Sequence, residues 1–297
     1  MDLLTGEMNS VAREIDKALG ALLPPVEDYE AEVFEAMRYA LLAGGKRLRP
    51  FLVLASAALF DVPIERARRA ACALECVHTY SLVHDDLPCM DDDDMRRGKP
   101  TTHKKFGEAT AVLAGDALLT LAFEILSDEA THHDPKVRAD LVLALAQAAG
   151  AHGMVGGQMI DMLAETTSLD IGAVTRLQQM KTGALICASV RLGAIAAGLR
   201  QTDAEFQTVS KYGRAIGLAF QIKDDLLDAT GSTEVIGKRS GADASHDKPN
   251  FVSLLGVSGA QAELEKSYAA AIAAANEFGA AGDRLTDLAN LVSQRTQ

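Results

Sequence analysis

Apolar residues recur at spacings of three and four along most of the chain, which is the period of an α-helix with one buried face. Leu4, Met8, Val11, Ile15 and Leu19 form the first such stripe and predict a helix over residues 2–20, stopped by Gly20 and then Pro24-Pro25. A second helix is expected from about Asp28, carrying Val33, Phe34, Met37, Leu41 and Leu42 and ending at Gly44-Gly45. Pro50 then sits in the first turn of an apolar helix over residues 51–60. Asp61-Val62-Pro63 opens a longer one through Ala70, Ala73, Leu74, Val77 and Leu82. Residues 106–126 read as a mostly apolar helix, and Asp134-Pro135 starts another through Leu141, Leu145 and Ala149. Lys181-Thr182-Gly183 opens a small-residue helix, Asp203 a long one through Phe206, Val209, Tyr212, Ile216 and Phe220, and residues 258–278 and 284–292 are alanine-rich helix.

Composition agrees with that pattern. Hydrophobic residues make up 48% of the chain, aromatics only 5%, and Trp is absent, a balance that favours helix over the aromatic and β-branched content of sheets. An all-α fold is expected. At 297 residues the chain can bury a large core without disulfides or a structural metal, and length alone leaves one or two domains open. Cys72, Cys76, Cys89 and Cys187 lack C-x-x-C spacing and read as reduced thiols. Residues 1–7 carry no secretory signal, and the longest apolar run, residues 184–199, is interrupted by Arg191 and too short to span a bilayer. A soluble, cytoplasmic protein is expected.

Two polar clusters break the apolar pattern. Six aspartates, Asp85, Asp86 and Asp91 to Asp94, fall within ten residues at the end of the fourth helix, followed by Arg96, Arg97 and Lys99. Two carboxylates 5 Å apart repel by roughly 3 kcal/mol at an effective dielectric of about 20, so the run is either fully hydrated or built around a divalent cation. Pro88 removes a backbone donor and bulges the helix end, which allows Asp85 and Asp91 to converge. The second cluster is Gln221, Asp224 and Asp228, one polar stripe on an otherwise apolar helix. Each cluster is followed by a basic segment, and the second of these, residues 231–250, contains Lys238, Arg239 and Lys248. Upstream, Gly44-Gly45-Lys46-Arg47-Leu48-Arg49-Pro50 places three cations at a helix N-terminus, where backbone N–H groups also favour anions.

A formal net charge of −12 argues against nucleic acid as a partner, because phosphate backbones are bound through excess Lys and Arg. A small anion held by local cations and metal ions remains open. Paired acidic clusters on facing helices suit hard divalent ions such as Mg²⁺, the cations suit phosphate, and apolar walls suit a hydrocarbon tail. A substrate with a diphosphate head and an apolar tail fits all three.

Glu75 to Pro100, with the Gly44 to Pro50 segment before it and Gln221 to Asp228 after it, resembles the bacterial trans-isoprenyl diphosphate synthases, and within them the farnesyl diphosphate synthases. The resemblance implies a single domain over residues 1–297, an all-α helical bundle with a central cavity, and a homodimer. It implies that Asp85 and Asp91 ligate two Mg²⁺ ions and Asp224 a third, with Mn²⁺ as a possible substitute and Asp86 and Asp228 in support. Arg96, Lys181 and Lys238 would contact the allylic diphosphate, and Thr182 and Gln221 would lie beside the reacting carbons. Lys46, Arg49, His78 and Arg97 would bind isopentenyl diphosphate. Tyr80, five residues before Asp85, would floor the cavity and favour a fifteen-carbon product over the twenty-carbon one of a geranylgeranyl diphosphate synthase. A non-catalytic synthase subunit is the alternative from outside the enzymes, and such subunits tend to lose the aspartates that this chain keeps. Pro249-Asn250-Phe251-Val252 departs from the small and hydroxyl residues usual at that point.

Overall fold

A computed structural model describes residues 2–230 and 248–294. They are helical nearly throughout, as the periodicity predicts, and they divide into two compact units. The first comprises Asp2–Leu143 and Ile195–Gly198, and the second Ala144–Ala194 with the described residues from Leu199 onward.

In the first unit, α1 (Asp2–Leu22) buries the five apolar residues of its predicted stripe and runs on through Gly20. Helices α2 (Ala31–Leu41) and α3 (Leu48–Ala58) follow, and α3 buries every residue from Pro50 to Ala57. The central helix is α4 (Ile64–Asp85), against which α1, α2, α3 and α6 all pack. Small residues make this possible: Ala67, Ala70, Ala71, Cys72, Ala73 and Cys76 are each 0% exposed, so neighbouring helices approach from several sides. Burial drives the Cys72 thiol up to about 12, and Cys76 rises for the same reason, so both thiols are inert core residues.

The expected helix over residues 106–126 is found as α6 (Glu108–Ser127), and a short α5 (Thr102–Phe106) precedes it across Gly107 at φ 86°. Among the described residues α6 alone is long and apolar enough to cross a membrane, with 20 residues and a mean hydropathy of 1.7. Its Ala111, Ala114, Gly115, Leu118 and Ala122 are buried in the first unit, where it packs on α4 and α2. Gly115 permits that approach, because a Cβ there would overlap the His84 imidazole of α4. The ring in turn donates from Nε2 to Val112 O at 3.1 Å. Gly115→Val is therefore expected to destabilise the protein by about 1–3 kcal/mol through overpacking. An unchanged urea midpoint would contradict that close contact.

Between α4 and α5 lies a small hairpin that the helical periodicity does not predict, β1 (Met95–Arg96) paired with β2 (Lys99–Pro100). Its two-residue turn, Arg97-Gly98, has positive φ at both positions, which matches the twist of antiparallel strands.

The second unit holds α8 (Met154–Leu163), α9 (Ile171–Gln178), α11 (Ala204–Thr230), α12 (Phe251–Asn276) and α13 (Asp283–Gln294). Helix α7 (Pro135–Ala149) precedes α8, and α10 (Ala184–Ala196) precedes α11. Val174, Ala219, Ile222, Leu226, Phe251 and Leu264 form a core where α9, α11 and α12 meet. One π-helical turn, Gln179–Gly183, joins α9 to α10 where the sequence predicts a simple helix start. Such a turn bulges the backbone outward and is found often at functional sites.

Candidate functional site

The acidic run begins where α4 ends. Past Asp86 the chain turns back, and Asp91 N donates to Asp85 O at 2.8 Å, with Asp92 N on Leu87 O at 3.2 Å. The turn around Pro88 thus brings the backbones of Asp85 and Asp91 together, as the bulge argument expects. Asp85 is half-buried and Asp91 exposed. The other aspartates divide by partner. Asp86, 2% exposed, takes the Arg96 guanidinium, with Nε at 2.8 and 2.9 Å from its two oxygens and a further contact at 2.6 Å. Burial raises the Asp86 carboxyl above its ordinary value despite that partner. Asp93 reaches Arg96 at 3.5 Å, and Asp94 pairs with Lys104 at 2.7 Å.

The cations upstream gather in the same unit. Lys46 is exposed, and the Arg49 Nη1 donates to His78 Nε2 at 3.2 Å. Arg97 donates to Gly44 O, which ties the hairpin to the glycine turn. Burial lowers the His78 pKa well below 6.5, and the positive charges of Arg49 and Arg97 push it the same way. His78 therefore accepts from Arg49 as a neutral ring at pH 7, and it loses that preference only well into acid, where the unfolded chain has already taken up a proton. Histidine NMR should place its titration well below 6.5; a charged His78 at pH 7 would contradict the arrangement. Arg96 and Arg97 also line a solvent-open pocket with Tyr39, Asp86 and Thr101.

A second group of candidates lies in the second unit. The π turn carries Lys181 and Thr182, and α11 carries Gln221 and Asp224. Thr182 Oγ1 donates to Gln221 Oε1 at 3.1 Å. Gln221 Nε2 donates to Asp225 Oδ1 at 3.2 Å. Burial pushes the Asp225 carboxyl up to about 6, against the hydrogen bonds from Phe251 N and Gln221 and with the neighbouring charges of Asp224 and Asp228. Lys181 Nζ lies 2.7 Å from Asp161 Oδ2, and Lys248 Nζ lies 3.2 Å from the same oxygen. Gly157 allows this, since a Cβ there would overlap the Lys181 backbone and hold α8 away from the π turn. Burial opposes the charge of Asp161, but the two lysines outweigh it and hold its carboxyl below the ordinary value.

Asp225 and Lys248 carry more of this arrangement than their sequence context suggests. The spacing of Asp225 four residues after Gln221 is a usable signal, whereas the Asp161–Lys248 pair spans 87 residues and has none. The departure at Pro249 to Val252 has a structural reason. Asn250 caps α12, accepting from Ser253 N at 2.8 Å and donating from its own N–H to Ser253 Oγ at 2.9 Å, and Phe251 N then reaches Asp225 Oδ2 at 3.0 Å. Lys238 lies outside the described residues.

The profile of the polyprenyl synthetase family matches residues 30–283, which include both acidic clusters and the Gly44 to Pro50 turn. This chain belongs to the polyprenyl synthetase family. It is 47% identical over 252 residues to farnesyl diphosphate synthase of Escherichia coli, covering 84% of each chain. It is 46% identical over 261 residues to a heterodimeric geranylgeranyl pyrophosphate synthase large subunit of Arabidopsis thaliana, covering 86% of this chain and 69% of that one. The crystal structure of an FPP/GFPP synthase from Zymomonas mobilis matches at 48% identity with a TM-score of 0.88, over 97% of this chain and 98% of that one. The chain shares the all-α prenyltransferase fold of that structure.

Polyprenyl synthetases use divalent metal to ionise diphosphates. Among the described residues no three His, Cys, Asp or Glu side chains gather at ligand spacing. The donor chemistry nevertheless fits a hard cation. Asp85 and Asp91 offer only oxygen and sit at one turn, and Mg²⁺ typically takes one or two carboxylates while water and substrate phosphate complete its shell.

Proposed function

We propose that this polyprenyl synthetase is a farnesyl diphosphate synthase, condensing isopentenyl diphosphate with dimethylallyl or geranyl diphosphate. The observation that carries this reading is the acidic turn in which Asp91 folds back on Asp85, within one compact unit that also contains the Arg49–His78 pair. Oxygen ligands for a metal and fixed donors for a diphosphate are both required by that reaction.

In this reading Asp85, Asp91 and Asp224 hold up to three Mg²⁺ ions, or Mn²⁺ in their place. Those carboxylates would hold the metal where its positive charge would stabilise the departing diphosphate. Arg96, Lys181 and Lys238 take the remaining negative charge of that group. The allylic C–O bond breaks with its electron pair leaving on the diphosphate, and the double bond of isopentenyl diphosphate closes the new C–C bond. Lys46, Arg49, neutral His78 and Arg97 hold isopentenyl diphosphate for that attack. Thr182 and Gln221, already hydrogen-bonded to each other, face the reacting carbons. The proton released at the end goes to the departed diphosphate, so no protein nucleophile is needed. Residues 1–297 act as one isoprenoid synthase domain, in a cytoplasmic homodimer. Geranylgeranyl diphosphate synthase is the second reading, favoured by the Arabidopsis similarity.

Incubation with isopentenyl diphosphate, geranyl diphosphate and Mg²⁺ is expected to release diphosphate, and excess chelator to stop that release. Release undiminished by chelation would contradict the metal assignment, and no release would favour a non-catalytic subunit.

A further inference from the structure

Arg47 stands among the three cations of the Gly44 to Pro50 turn, yet its surroundings are unlike those of an anion ligand. It is only 3% exposed. Its Nε donates to Asp16 Oδ1 at 2.8 Å, Nη1 to Glu75 Oε1 at 2.6 Å and Nη2 to Leu41 O at 2.6 Å, with Nη2 also 2.7 Å from Asp16. One guanidinium therefore ties together α1, the end of α2 and the middle of α4. With its side chain only 1% exposed, against 26% for Arg96, the guanidinium is closed to a diphosphate.

Its backbone is equally unusual. At φ 47° and ψ 39° Arg47 occupies the left-handed region, which residues other than glycine adopt rarely and keep only when surrounding contacts enforce it. The bend lies at the start of α3, where Arg47 O accepts from Phe51 N at 3.0 Å. Lys46 precedes the bend and Arg49 follows it in the first turn of α3, donating to His78. The side-chain contacts that fix the bend thus also fix the relative setting of the two cations on either side of it.

We propose that Arg47 is a positioning residue that, through Asp16, Glu75 and Leu41 O, holds the turn so that Lys46 and Arg49 are set for isopentenyl diphosphate. It touches no substrate. The inference rests on the assignment of Lys46 and Arg49 to that substrate under the function proposed above. It predicts a selective defect: the grip on isopentenyl diphosphate loosens, while the allylic site and the folded state are kept.

The test uses the double variant Arg47→Met with Glu75→Leu, which replaces the buried pair by apolar groups, together with Arg47→Lys and Asp16→Asn. Folding is followed by circular dichroism and thermal unfolding, isopentenyl diphosphate binding by calorimetry, and KM is measured separately for each substrate. The folded double variant is expected to weaken isopentenyl diphosphate binding and raise its KM by about tenfold or more, with the KM for geranyl diphosphate held within about twofold. Arg47→Lys recovers part of the loss, because an ammonium group reaches one of the two carboxylates. If the double variant does not fold, Asp16→Asn carries the test, since Asp16 has a 39% exposed side chain and tolerates the change, and a defect of about threefold in the same substrate alone is expected. Unchanged isopentenyl diphosphate binding in a folded variant, or equal rises in both KM values, overturns the positioning role. Absence of isopentenyl diphosphate binding to the unsubstituted protein would instead overturn the function on which the inference rests.

Discussion

Asp85→Asn is expected to lower kcat by at least about 10²–10³-fold while the protein stays folded, and Asp224→Asn to do the same. Asparagine keeps nearly the same shape at both positions, and both residues are only half-buried, so the fold is expected to persist. The turn itself does not depend on the Asp85 side chain, since it is closed by the backbone bond from Asp91 N to Asp85 O. Loss of turnover without loss of thermal stability is therefore the signature of a metal ligand. Near-normal kcat at saturating Mg²⁺ in either variant would remove that residue from the metal-binding set.

The second large effect is on the product. Tyr80 is 6% exposed and packs edge-on against His84, with ring centroids 5.7 Å apart. His84 is itself held against α6 by Val112 O, at the point where Gly115 lets the two helices meet. Tyr80 thus belongs to a packed layer on α4 about 7.5 Å along the helix axis from Asp85, at 1.5 Å per residue. Under the proposed function a growing chain anchored at Asp85 and Asp91 meets this ring. Tyr80→Ala is expected to shift the main product from fifteen to twenty carbons or longer, read by chromatography of the dephosphorylated alcohols. A product unchanged in length would make Tyr80 a core aromatic and nothing more.

Much of this arrangement was legible in the order of residues. Leu4, Met8, Val11, Ile15 and Leu19 form a buried stripe because a spacing of three and four puts them on one helical face. Pro88 signals the chain reversal that brings the Asp91 backbone to Asp85, whereas the hydrogen bond between Thr182 and Gln221 has no signal in the sequence. The features hidden from the sequence are hidden for physical reasons. Strands of two residues, as in the Met95 to Pro100 hairpin, are too short to show a period, and a single π turn at Gln179–Gly183 differs from α-helix by one residue in its hydrogen-bond register. The role of Arg47 depends on partners 28 and 31 residues away, a separation that no local pattern encodes. Lys46, Arg47 and Arg49 look alike in the sequence, and only burial separates the middle one from its neighbours.

Product analysis tests the central claim most directly. With isopentenyl diphosphate, geranyl diphosphate and Mg²⁺, mass spectrometry of the extracted product should find farnesyl diphosphate as the main species, with one inorganic diphosphate released per condensation. A twenty-carbon product would make the chain a geranylgeranyl diphosphate synthase, and no prenyl product from the folded protein would contradict the catalytic reading altogether.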